Sequence, residues 1–173
     1  MKKFLTLLLV LISVSVSAQE SLLGSWNISM DVMGTDVSHT LTFDNDTEGT
    51  VTELIYFGLD IKMLGAHMSG KMTATHKGHF ELKNNVLTIK WMPDTVEYTI
   101  LEKPKGTMKG KTEPELQKQA EKMFDDIRKA IINENPEDDI YDSVTFKRGK
   151  LILKSKDKEG KTETETYTRV SEE

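Results

Sequence analysis

The chain has 173 residues, 28 acidic and 23 basic side chains, a formal net charge of −5 and no cysteine. The missing cysteine excludes disulfides, thiolate metal sites, a cysteine nucleophile and a lipid anchor on an N-terminal cysteine. The acidic balance argues against binding bare nucleic acid, which needs clustered lysine and arginine to displace counterions.

Met1-Lys2-Lys3 is a short basic start, Phe4 to Val16 an almost unbroken apolar run, and Val16-Ser17-Ala18 supplies small residues at a cleavage position. This is the pattern of a secretory signal peptide over residues 1–18. The run is too short for a membrane span, which needs about 20 residues. The expectation is a single domain over residues 19–173, secreted or periplasmic, with no transmembrane segment in the mature chain. The short leader is bacterial in style.

From Gly24 onward the period is two. Val37, His39, Leu41 and Phe43 alternate with polar residues, as do Leu87, Ile89 and Trp91, then Val96, Tyr98 and Ile100, then Val144 and Phe146. Strict alternation marks half-buried antiparallel strands. The expected strands are 24–33, 36–43, 49–57, 59–64, 67–77, 79–83, 86–92, 95–103, 140–147, 150–156 and 162–170, with some neighbours fused. Turn signals fall between them: Asp44 to Gly49, Lys83-Asn84-Asn85, Met92-Pro93-Asp94, Arg148-Gly149 and Asp157 to Gly160. One helix interrupts the pattern. Thr112 and Glu115 fit a capping box, and Pro114 sits in the first turn, where its missing N–H costs nothing. Leu116, Ala120, Met123, Ile127 and Ile131 form a stripe at spacings of three and four, widened by Phe124 and Ala130; Asn133 to Pro136 ends it. Such a stripe packs as a lid or plug against a sheet.

A chain-ordered set of hairpins has two free edges, and closing into a barrel removes them most fully. The expected fold is all-β in the main: an up-and-down antiparallel β-barrel with one α-helix inserted before the last three strands. Two motifs at the ends of the domain carry a resemblance. Leu23-Gly24-Ser25-Trp26 opens the first strand, and Tyr167-Thr168-Arg169 lies in the last. These resemble the Gly-x-Trp opening and terminal arginine of the lipocalins and their relatives, in particular the small secreted lipocalin-like proteins of Bacteroidetes. The resemblance implies a lipocalin-like barrel whose end is closed by Gly24, Trp26 and Arg169, with the guanidinium over the indole. The helix departs from that family, where it follows the eighth strand, so the geometry of ligand entry is not carried over.

Several residues are candidates for lining an interior. His39 shares a face with Val37, Leu41 and Phe43, and His76 with Met72, Ala74 and Phe80; either histidine could hydrogen-bond a ligand or be a satisfied core residue. Trp91, Tyr98 and Tyr56 suit an aromatic wall or ordinary packing. Met30, Met33, Met63, Met68 and Met72 suit an adaptable cavity or an irregular core. The cavity set is therefore His39, Phe43, Tyr56, Met72, His76, Trp91 and Tyr98. His76 and His79 form an H-x-x-H, but residues three apart on a strand point to opposite faces, so no metal site is expected. Asp138, Asp139 and Asp142 miss the spacing of a calcium loop and read as a solvated acidic surface. Lys103 to Lys111 is basic and reads as a flexible loop before the helix, able to gate a barrel mouth. No catalytic motif or cofactor fingerprint is present.

The function expected first is non-catalytic binding of a small hydrophobic or amphipathic molecule in the barrel, with no cofactor. The alternatives are a packed envelope module that contacts a protein or glycan through its loops or helix, and a small barrel enzyme. A buried histidine–carboxylate pair facing an empty pocket would favour the enzyme.

Overall fold

The computed structural model describes residues 21–31, 34–133 and 138–171, with the side chains of 130–133 outside that description. The leader, Met33, the side chains of Ala130 and Ile131, and residues 134–136 of the expected helix stop therefore lie outside the described residues. The fold is mostly antiparallel β with one helix. Its strands are β1 (Gly24–Asp31), β2 (Thr35–Phe43), β3 (Glu48–Met63), β4 (Ala66–Lys83), β5 (Val86–Met108) and β6 (Lys111–Thr112). Helix α1 (Pro114–Asn133) follows, then β7 (Asp139–Tyr141), β8 (Ser143–Lys147), β9 (Lys150–Lys156) and β10 (Thr162–Arg169). The helix precedes four strands rather than the expected three, because the expected strand 140–147 divides at Asp142 into β7 and β8, which pair with different partners.

The expected pairs 49–57 with 59–64, 67–77 with 79–83, and 86–92 with 95–103 each fuse into one long strand. Tight turns set the register. Leu64-Gly65, Asn84-Asn85, Lys109-Gly110 and Arg148-Gly149 all have positive φ at both residues, the conformation of a two-residue hairpin that matches the strand twist. Met92-Pro93-Asp94 is not a turn. Thr75 pairs with Glu97 but Lys77 pairs with Met92, so Pro93 to Val96 bulge out of one continuous ladder. Lys103 to Met108 is not a loop either: it is the end of β5, where Lys105 to Met108 pair with Ala66 to Ser69.

The sheet runs β6-β5-β4-β3-β2-β1-β10-β9-β8, with β7 paired to β5 off that path. This corrects the expected closed barrel: the hydrogen-bonded path has two ends, β6 and β8. The sheet is nonetheless curled. Trp26, Phe43, Val51, Phe80, Leu87, Ile89, Val144, Leu151, Leu153 and Tyr167 come from one face of one sheet and pack into a single buried cluster, which a flat sheet cannot do. Phe43 meets Phe80 edge to face at 4.9 Å, and Trp26 lies 5.9 Å from Phe146. Residues 139–147 span the gap between the sheet's two flanks. Asp139–Tyr141 pair with β5, Ser143–Lys147 pair with β9, and only Asp142 lies between.

At one end of this core Arg169 lies over Trp26, with Cζ 5.3 Å from the ring centroid. Its Nη2 donates to the Leu23 carbonyl at 2.9 Å, and Trp26 Nε1 donates to the Leu22 carbonyl at 2.8 Å. Gly24 has φ +106°, which a side chain rarely adopts, and Arg169 lies against it. The exposed guanidinium makes this worth only about 0.5–1 kcal/mol as a cation–π contact; the buried apolar side chains beneath it, at about 1.5–3 kcal/mol each, hold the fold.

Helix α1 covers the inner face nearer the other end. Phe124 packs edge to face on Phe57 at 5.4 Å, in a second cluster with Leu59 and Met72, flanked by Tyr98, Met123 and Ile127. Thr112 does not cap the helix as expected, because it pairs with Thr107 in β6. Glu113 precedes Pro114, and its carbonyl accepts the Gln117 N–H at 2.8 Å.

Candidate functional site

Register decides which side chains share the inner face, because directly paired residues project to the same side. Ile28 pairs with His39, His39 with Ile55, Glu53 with His76, Gly78 with Trp91, Ile89 with Asp139, and Leu153 with Glu165. A polar layer therefore crosses the inner face between the two apolar clusters. It contains His39, Glu53, His76, Trp91, Asp139, Glu165 and the hydroxyl ends of Tyr141 and Tyr167.

The layer is a chain of contacts. The Tyr167 hydroxyl donates to Glu165 Oε2 at 2.7 Å and meets His39 Nδ1 at 3.1 Å. His39 Nε2 lies 2.6 Å from Glu53 Oε1. Glu53 Oε2 lies 3.7 Å from His76 Nδ1. His76 Nε2 meets the Met92 carbonyl at 3.1 Å, an acceptor presented by the β5 bulge, where Thr95 Oγ1 also donates to it at 2.6 Å. The His76 ring stacks on Trp91 at 4.8 Å, and Trp91 Nε1 donates to Asp139 Oδ2 at 2.8 Å. His39 Nε2 is buried and, despite its closeness to Glu53, is not aligned for a hydrogen bond.

Burial shapes the electrostatics. It pushes the Asp139 carboxyl above the ordinary carboxylate range, against the Trp91 hydrogen bond and with help from Glu53 and Glu165. It also pushes the hydroxyls of Tyr167 and Tyr141 well up, with the Glu165 charge adding to it. Both tyrosines are therefore fixed hydrogen-bond donors at neutral pH. Solvent still reaches parts of this layer. The side chain of His39 is 29% exposed and that of Glu53 14%, whereas Val51, Leu87 and Ile89 in the apolar floor are sealed.

An open groove of about 330 Å³ lies where α1 meets β4 and β5. Met72, Tyr98, Ile100, Pro104 and Phe124 form its apolar walls, and Lys103 and Arg128 stand at its rim with Glu121 and Asp125. Arg128 and Lys129 each bind Asp125 at 2.6 Å. Tyr98 donates from its hydroxyl to the Arg128 carbonyl at 3.3 Å, tying strand to helix, and burial raises its pKa, with Arg128 opposing. Met72, Ala74 and His76 alternate along one face of β4, so the groove and the polar layer lie on the same strand, roughly 13 Å apart at about 3.3 Å per residue.

The structure divides the expected cavity set. His39, His76 and Trp91 meet in the polar layer, and Met72 and Tyr98 in the groove. Phe43 is sealed in the floor. Tyr56 pairs with Ser38 and Thr73, on the opposite face, and its hydroxyl lies against Gly58. His79 is exposed while His76 is buried, and no group able to hold a metal occurs among the described residues. Asp139 is not the solvated acid expected, since it turns inward to Trp91. Glu53, Asp139, Glu165 and Tyr167 were missed as members of the layer; the available signal was an acid sitting in phase with apolar neighbours, as Glu53 does between Val51 and Ile55. No described helix is long and apolar enough to cross a membrane. The chain matches no protein-family model, no curated protein and no solved structure.

Proposed function

We propose that this protein binds a small amphipathic molecule whose apolar body lies in the groove beneath α1 and whose polar end reaches toward His39, Glu53 and His76. The observation that carries this is the groove itself: apolar walls, a volume of about 330 Å³ at the lower end of the range for small-molecule sites, and a strand that leads from it to the polar layer. We take the curled sheet as an incomplete relative of the lipocalin-like barrel. Arg169 over Trp26 and the bridging of β5 and β9 by residues 139–147 support that reading. Exported by its leader, the protein would meet its ligand in the periplasm or outside the cell.

Native mass spectrometry of the protein from its own host tests this. We expect an adduct of a few hundred daltons, of the size such a groove takes, that denaturation releases. Ile100 lines the groove but is half exposed, so Ile100→Trp fills the space with little strain on the core and should abolish the adduct. An adduct retained at the wild-type level in Ile100→Trp would remove the groove from the site.

One observation favours a second reading, that of a proton-transfer enzyme. The buried His39 Nε2 and Glu53 Oε1 approach to 2.6 Å in a layer whose edge solvent reaches, and Tyr167 holds the far nitrogen of the imidazole at 3.1 Å, the arrangement of a general base with an orienting partner. On this reading the released molecule is a mixture of substrate and product, and Glu53→Gln leaves a single species. The same single species from the wild type and the variant would leave binding alone.

A further inference from the structure

We propose that the paired tips of the β3–β4 and β5–β6 hairpins form a docking point for an anionic lipid surface. Thr35, the first residue of β2, pairs with Leu59. Beyond that pair β3 runs on to Met63 before turning at Leu64-Gly65. The four residues past Leu59 carry the hairpin roughly 13 Å beyond the end of β2. Ala66 pairs with Met63 on one side and Met108 on the other. The second turn, Lys109-Gly110, lies beside the first, with the Lys109 stem and the Met108 sulfur against Gly65. The tip thus presents Met63, Leu64 and Met108 together.

These side chains are open to water: Leu64 fully, Met63 at 65% and Met108 at 39%. Leu64 moreover occupies a left-handed turn position, φ 46°, where glycine or asparagine would be easier. A bulky leucine there contributes nothing to the fold, so its use points outward. The charge is equally one-sided. Residues 61–70 and 104–112 hold four lysines (Lys62, Lys105, Lys109 and Lys111) and no acid, in a chain of net charge −5. Lys62 bonds Asp60, while Lys105, Lys109 and Lys111 have no ion pair among the described residues.

Three side chains on two turns offer at most a few hundred square ångströms, against about 800 Å² per partner in a stable protein interface. A lipid interface accepts a smaller apolar wedge when lysines flank it and the headgroups are anionic.

The test uses the full chain, with vesicles of phosphatidylcholine alone or with about one-third phosphatidylglycerol. Leu64→Trp places a reporter at the tip. We expect its emission to shift to the blue with the anionic vesicles and to stay unchanged with the neutral ones. Lys109→Ser with Lys111→Ser should weaken that response roughly thirtyfold, two lysines' share of the attraction. Met63→Ser with Leu64→Ser, at the water-facing tip, should leave thermal unfolding unchanged and reduce cosedimentation with the anionic vesicles. An unshifted Leu64→Trp emission, or equal shifts with both vesicles, would overturn the proposal; so would lysine variants that bind as the parent does. Because the reporter sits at the tip, attachment through the apolar leader gives no shift and counts against it.

Discussion

Asp139 shows how a single side chain records its surroundings. It accepts the Trp91 N–H at 2.8 Å, yet burial still holds its pKa above the ordinary 3.8. A carboxyl raised on folding takes up its proton more readily in the native state, so its contribution to stability declines as pH rises from 3.8 through the folded value. Asp139→Asn keeps an oxygen for Trp91 and cannot ionise. Urea unfolding of both proteins at pH 4 and pH 7 should show the gap in favour of the variant widening at the higher pH. A gap that stays constant or narrows would mean that ionised Asp139 is compensated by its neighbours. The alternation around Val37 to Phe43 put His39 on the inner face correctly. The same arithmetic could have placed Glu53, in phase with Val51 and Ile55, but an acid on an apolar face looks like noise until its partners arrive. Those partners, His39 and His76, come from strands on either side of it. Asp139 was harder still, because an acidic run reads as surface, and only the pairing of β7 with β5 turns it inward. Tyr56 went wrong by parity, since one residue's displacement along a strand exchanges the faces.

Among the elements, α1 depends on two glycines in strands where glycine is otherwise a weakness. A Cβ at Gly70 would lie 2.6 Å from the Phe124 ring, and one at Gly106 would overlap the backbone of Leu116 and Gln117. The helix comes this close because Gln117 bridges it to the strand: its Oε1 accepts the Gly106 N–H and its Nε2 donates to the Pro104 carbonyl, each at 3.0 Å. Gly106→Ala should therefore lower stability by about 1–3 kcal/mol and push the helix off the sheet. Gly110→Ala supplies the contrast. It has open space around it but φ +77°, so its cost is only the backbone's, about 1–2 kcal/mol, with α1 in place. Circular dichroism with thermal unfolding checks stability, and the Phe124 ring resonances report the helix position; equal perturbation of Phe124 by both changes would remove the close approach as the cause. The helix itself was legible in the sequence, from Pro114 and the stripe at Leu116, Ala120 and Phe124. Its cap was not, because Thr112 was needed by β6. The bulge at Pro93 to Val96 was read as a turn since proline and aspartate signal both, and only a long-range ladder tells a kink inside a strand from the end of one.

At the scale of the molecule, alternation could count strands and show which face is apolar, but it could not say whether the last strand returns to the first. The structure answers with residues 139–147, which join β5 at one end and β9 at the other. The two ladders are unequal. Among the described residues Leu87, Thr88 and Ile89 make three pairs with β7, whereas β9 pairs with β8 over five. One more backbone bond, from the Val144 N–H to the Asn85 carbonyl at 3.1 Å, braces the bend. Short ladders open at lower free energy than long ones. Amide hydrogen exchange of Asp139 to Tyr141 should thus run ahead of that of Leu151 and Leu153; protection equal to β9 would show that β7 opens only when the whole protein unfolds. The three-rung ladder is in this sense the seam of a garment stitched along one side. Parting it would bare the polar layer through the flank while Arg169 and Trp26 stayed fastened at the hem, without the cloth coming undone.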